Sequence, residues 1–178
     1  AAAGIDVGLR SYMLRVYNYM CIGLALTGAV AFAASTSGEL MNAIHGTALR
    51  WVVMLAPLGF VFFLSARIHS MKAATAQSLF WVYAGLMGLS LSYIFLAFTG
   101  ESIVRVFFIT LAAFAGLSLY GYTTKKDLSG MGTFLVMGLI GILIASVVNI
   151  FLASTGLHFV ISILGVLIFA GLTAYDTQ

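Results

Sequence analysis

The sequence predicts an all-α, polytopic transmembrane helix bundle, with six spans visible and the N-terminus in the cytoplasm. Three observations lead there. Hydrophobic residues make up 62% of the 178-residue chain and charged residues only 7%. A soluble domain carries charge at about a quarter of its positions, so this composition cannot furnish a water-facing surface. Apolar runs free of Asp, Glu, Lys and Arg recur at membrane length, about 20 residues rising about 1.5 Å each through about 30 Å of hydrocarbon. A single proline, Pro57, suits long helices and opposes a loop-rich fold. A secretory signal or a lone anchor would explain only one of the runs.

The first span covers about 16–34 and follows Arg15. The second, about 50–66, stops at Arg67 and holds Pro57 mid-run, where a proline should kink the helix and leave the Val53 carbonyl without its usual donor. The third covers about 74–98, between Lys72 and Glu101, and the fourth about 105–124, before Lys125-Lys126. After Asp127 no formal charge appears until Asp176, about 48 residues later. As one helix that stretch would reach about 70 Å, so it must fold back. Ser154-Thr155-Gly156 is small and polar and makes the turn, which leaves spans at about 132–153 and 157–175. Residues 1–178 then form a single transmembrane domain. Barrel strands would alternate apolar and polar residues. Runs such as Leu139-Ile140-Gly141-Ile142 are apolar on every side and read as helix. The chain opens on Ala1-Ala2-Ala3 and stops just past an apolar run, so a longer protein is expected.

Orientation follows from the short loops, because Lys and Arg are retained in the cytoplasm. One side carries Arg10, Arg15, Arg67, Lys72, Lys125 and Lys126, and the other Arg50 and Arg105. The N-terminus and the end of span six, with Asp176, are therefore expected in the cytoplasm. No Lys- or Arg-rich block points to nucleic acid. The lone Cys21 reads as a packing residue. Gly141 with Ala145 and Ala112 with Gly116 have the spacing that lets membrane helices approach closely.

Enzyme chemistry has little support. There is no HExxH and no Walker loop. Gly116-Leu117-Ser118-Leu119-Tyr120 lacks the closing glycine of a nucleophile elbow. His45, His69 and His158 fall in separate loops and read as interfacial residues. What remains is a small polar set at membrane depth. Asn18 and Asn149 are expected to hydrogen-bond neighbouring helices. On physics alone, Arg67 is a snorkelling arginine and Asp176 a headgroup carboxylate.

Three segments resemble the Bax inhibitor family: the loop Lys125-Lys126-Asp127-Leu128-Ser129, Asn149-Ile150-Phe151 near the end of span five, and Ala174-Tyr175-Asp176-Thr177-Gln178 at the end of span six. The resemblance extends over essentially the whole chain, and its Tyr-Asp signature is the most specific part. It implies seven helices, a cytosolic N-terminus and, for a bacterial member, the inner membrane. It also implies a pH-dependent calcium leak, sensed by paired aspartates from helices six and seven. Asp176 matches the first of the pair and would serve as ion and pH sensor and as metal ligand. Arg67 matches a helix-two arginine that latches this aspartate in the closed state. The second aspartate would lie beyond Gln178. Two carboxylates in contact cannot both ionise cheaply, so a proton or a cation between them decides how the two helices stand. The expected partners are the lipid bilayer and calcium, with no resident cofactor. The competing reading is an interaction protein that modulates a membrane-bound protease or stress and cell-death machinery without transport.

Overall fold

The computed structural model describes residues 7–178. Asp6 and the rest of the amino-terminal stub lie outside the described residues. Eight α-helices follow in order: α1 Val7–Thr36, α2 Gly38–His45, α3 Leu49–Arg67, α4 Ala73–Leu91, α5 Ile94–Ala97, α6 Gly100–Thr123, α7 Ser129–Leu152 and α8 Thr155–Thr177. One 3-10 turn, Ile68–Ser70, extends α3. Among the described residues no strand occurs. Among the described residues six segments are long and apolar enough to cross a membrane: Val7–Thr36, Leu49–Ser70, Ala73–Ala97, Gly100–Thr123, Ser129–Leu152 and Thr155–Thr177. The chain is a polytopic helical membrane protein.

The side chains sort as they do in lipid. Large apolar residues point outward: Phe151 is 84% exposed, Ile150 76% and Phe134 72%. Small ones, Ala31, Ala34, Ala84 and Ala174, are buried. Lipid tails compete equally well for large apolar groups, so helices gain most by close contact at small residues.

The helices form two compact units, one ending at Ile103 and the other Val104–Gln178. In the first, α1 and α4 run parallel. Tyr19 meets Trp81, Gly23 meets Phe80 and Thr27 meets Ala84. Gly88 lies against the Thr27 carbonyl and Val30, where a Cβ would come within 2.6 Å of that oxygen. Thr27 Oγ1 donates to the Ala84 carbonyl at 2.8 Å. A hydrogen bond between membrane helices contributes about 0.6 kcal/mol, so the close glycine contacts set the register and this bond confirms it. α3 runs unbroken through Pro57, its one buried residue.

In the second unit α7 and α8 are antiparallel. Gly138 meets Ile168, Leu135 meets Gly171 and Gly132 meets Tyr175. The turn between them falls earlier than Ser154-Thr155-Gly156. Ala153 takes a left-handed backbone (φ 47°), its N–H donates to the Asn149 carbonyl, and α8 starts at Thr155 with Ser154 Oγ accepting from Leu157 N–H. A free cap side chain at Ser154 outweighs the flexibility of Gly156.

Three further sequence expectations are corrected. Asn149 bonds no neighbouring helix; its Oδ1 accepts from Ser154 N–H at 3.0 Å and closes its own turn. Asn18 is exposed on a surface groove beside Arg15, Tyr19 and Ile22, and Thr27 makes the bond across helices instead. Gly141 and Gly116 have nothing within 4 Å of a Cβ position, so the close approaches fall at other glycines. The third span is also broken at Ser92-Tyr93, where α4 gives way to α5.

Candidate functional site

The end of α8 is gripped at three places within its own unit. Ala174 is buried, and its carbonyl oxygen lies so close to Gly121 of α6 that a Cβ there would overlap it. The Tyr175 ring covers Gly132 in the first turn of α7, where a Cβ would stand 2.7 Å from Cζ. Gln178 reaches back to the basic loop: its Oε1 accepts from Leu128 N–H at 2.8 Å, and its Nε2 donates to the Lys126 carbonyl. Leu128 is buried beneath this clasp. The loop residues Lys125, Lys126 and Asp127 therefore share one end of the unit with Asp176.

Asp176 sits between these anchors, two residues before the clasp and one after the tyrosine. Its side chain is exposed and has no hydrogen-bond or ion-pair partner within its unit. The helix end is fixed while the carboxylate is left unpaired. Among the described residues no three His, Cys, Asp or Glu side chains come together as a metal cluster.

The loop carries its own order. Asp127 Oδ1 accepts from Ser129 N–H at 2.9 Å. The Ser129 hydroxyl and then this backbone N–H hold the Asp127 carboxylate below its ordinary range. An aspartate so placed satisfies a free N–H at the start of α7.

Arg67 closes α3 in the other unit. It is exposed, its carbonyl accepts from Ser70 Oγ at 2.8 Å, and its guanidinium has no carboxylate partner within that unit. Asp176 and Arg67 are thus each poised at a helix end, in separate units.

Sequence reasoning singled out Asp176 but missed what holds it. Gln178 stood inside the Tyr-Asp signature, and its polar side chain just beyond an apolar helix was the available signal. Gly121 and Gly132 gave none, because a glycine's tight contact depends on what faces it. His45 also has an unforeseen partner. Ser92 Oγ donates to the Leu89 carbonyl at 2.6 Å, so it accepts from His45 Nε2–H at 3.2 Å.

Known proteins share this sequence over most of its length. Residues 9–178 match the family model described as inhibitor of apoptosis-promoting Bax1. An uncharacterized protein of Rickettsia prowazekii is 49% identical over 173 residues, which span 97% of this chain and 73% of that protein. One of Caulobacter vibrioides is 47% identical over all of this chain and 75% of its own length. The inner membrane protein YbhL of Escherichia coli K12 is 45% identical over 172 residues, 96% of this chain and 74% of that protein. No solved structure matches.

Proposed function

We propose that this chain, which belongs to the Bax inhibitor family, is a pH-sensitive cation leak of a bacterial inner membrane, with calcium as the transported ion and Asp176 as its sensor. The membrane assignment is supported by six spans of suitable length and by the similarity to an inner membrane protein of Escherichia coli. The excess of Lys and Arg around Arg67, Lys72, Lys125 and Lys126 supports an N-terminus, and an α8 end, in the cytoplasm.

One observation carries the reading: the end of α8 is anchored by Gly121, Gly132 and Gln178 while the Asp176 carboxylate stays unpaired. A fixed, unneutralised carboxylate attracts a cation, and a weak site with few protein ligands lets the ion leave again. Protonation removes the charge and with it the attraction. Arg67, the only cation at the end of α3, is the group we assign to balance that charge in the closed state.

The test is calcium entry into liposomes holding the purified protein, read by an internal indicator across a pH series. Wild type should leak with a rate that depends on pH. Asp176→Asn removes the titrating group and should flatten the profile, and Arg67→Gln should raise the resting leak. A pH profile unchanged by Asp176→Asn refutes the sensor. The competing reading, an interaction protein that modulates a membrane protease or cell-death machinery, draws on the scarcity of charge inside the spans. It expects no flux from protein alone and a partner that stays bound through purification.

A further inference from the structure

At one end of the first unit a cleft of ≈ 570 Å³ opens between the last turn of α2, the first turns of α3 and the break after α4. Its wall is two-sided in chemistry. Arg50, His45 and Tyr93 supply the polar part, and Trp51, Met54 and Ile94 the apolar part. No acidic residue lines it.

Arg50 is the charged centre. It is exposed, has no carboxylate partner within its unit, and places its guanidinium 5.1 Å from the centre of the Trp51 ring. Stacking on an aromatic face holds the planar fork and leaves its N–H groups directed elsewhere. The membrane-length segment begins at Leu49, so Arg50 and Trp51 stand at the bilayer edge, where aromatic belts lie. Met54 is one helical turn deeper and Ile94 borders the same cleft, so its wall turns apolar toward the hydrocarbon.

The break in the third span helps to shape this site. Ser92 is fully buried, with its hydroxyl shared between the Leu89 carbonyl and His45 Nε2–H. That bond pins the end of α2 to the break and sets the His45 ring against Tyr93, centroids 5.6 Å apart.

We propose that this cleft binds one anionic phospholipid, with its phosphate on Arg50 and its acyl chain along Met54 and Ile94. Charge complementarity selects the headgroup, because the only formal charge in the lining is positive. The shift from a cationic rim to an apolar wall selects an amphiphile over a free anion. The site is independent of Asp176 and of ion leak.

The probe is phosphatidylglycerol brominated on its acyl chains, titrated into full-length protein in phosphatidylcholine nanodiscs. Trp51 reports quenching in a Trp81→Phe background, since the chain has two tryptophans. Saturable quenching is expected, weakened about fivefold to tenfold by Arg50→Gln and less by Arg50→Lys, which keeps the charge but loses the fork. Arg50 is exposed, so both variants should fold, and thermal unfolding in the same nanodiscs checks this. Equal quenching by brominated phosphatidylcholine would overturn the headgroup assignment. Displacement by millimolar inorganic phosphate would overturn the lipid in favour of a free-anion site. Unchanged affinity in Arg50→Gln would overturn the site itself.

Discussion

Gly121→Ala should loosen the end of α8, and the size of the effect can be worked out from its surroundings. A Cβ at Gly121 overlaps the Ala174 carbonyl oxygen and comes within 3.1 Å of both the Ala174 carbonyl carbon and Thr177 Cβ. Two of these atoms are backbone of a helix and cannot rotate aside, so α8 itself must move. Overpacking of this kind costs about 1–3 kcal/mol. Gly116, also on α6, has nothing within 4 Å of a Cβ. Gly116→Ala should therefore stabilise by about 0.5–1 kcal/mol, the gain from replacing glycine inside a helix. The two variants should differ by about 1.5–4 kcal/mol, with opposite signs against wild type. Unfolding by SDS titration in mixed micelles measures the difference. Hydrogen exchange at Leu128 N–H then locates it, because that proton is held by the Gln178 clasp. If Gly121→Ala proves as stable as Gly116→Ala, the α6–α8 contact is not the anchor described here.

Other outcomes follow from the same contacts. Gln178→Ala removes both clasp bonds and leaves the part-buried Leu128 N–H unpaired. It should cost about 1–3 kcal/mol and speed exchange of that amide, and under the proposed function it should alter the pH profile of the leak while Asp176 remains. Ala153→Gly relieves a left-handed alanine (φ 47°) and should stabilise the α7–α8 turn by about 1 kcal/mol, seen as a higher SDS midpoint. Asp127 has its folded pKa lowered by Ser129, so its contribution is complete above the ordinary carboxyl pKa of about 3.9 and fades as pH falls through the lower folded value. Asp127→Ala should remove that part of the acid sensitivity. An acid-side melting series identical to wild type would contradict it.

Much of the architecture was legible in the chain, and the reasons are physical. Water cannot solvate runs such as Leu139–Ile144, and lipid cannot satisfy a bare backbone, so length and lack of charge were enough to mark six helices. Span ends were less legible. Arg10 and Arg15 suggested a start near residue 16, yet the chain is already helical at Val7, because long cationic side chains can lie along a helix and reach the interface. The third span looked continuous, but Ser92-Tyr93 breaks it with a hydroxyl bonded to a histidine 47 residues away. Small-residue pairs at close-packing spacing, Gly141 with Ala145 and Ala112 with Gly116, pointed to Gly141 and Gly116, while the structure packs Gly23, Gly88, Gly121 and Gly132.

By itself, then, the sequence determined that the chain is helical, membrane-embedded and of the Bax inhibitor family, and it marked Asp176 as the carboxylate to watch. These properties depend on composition and local order. Only the tertiary structure decided that Ala174, Tyr175 and Gln178 are clamped by Gly121, Gly132 and the Lys126–Leu128 backbone, and that Arg50 stacks over Trp51 beside an amphipathic cleft. Apart from the neighbours Arg50 and Trp51, these contacts join residues dozens of positions apart, and a close approach exists only when both surfaces are in place.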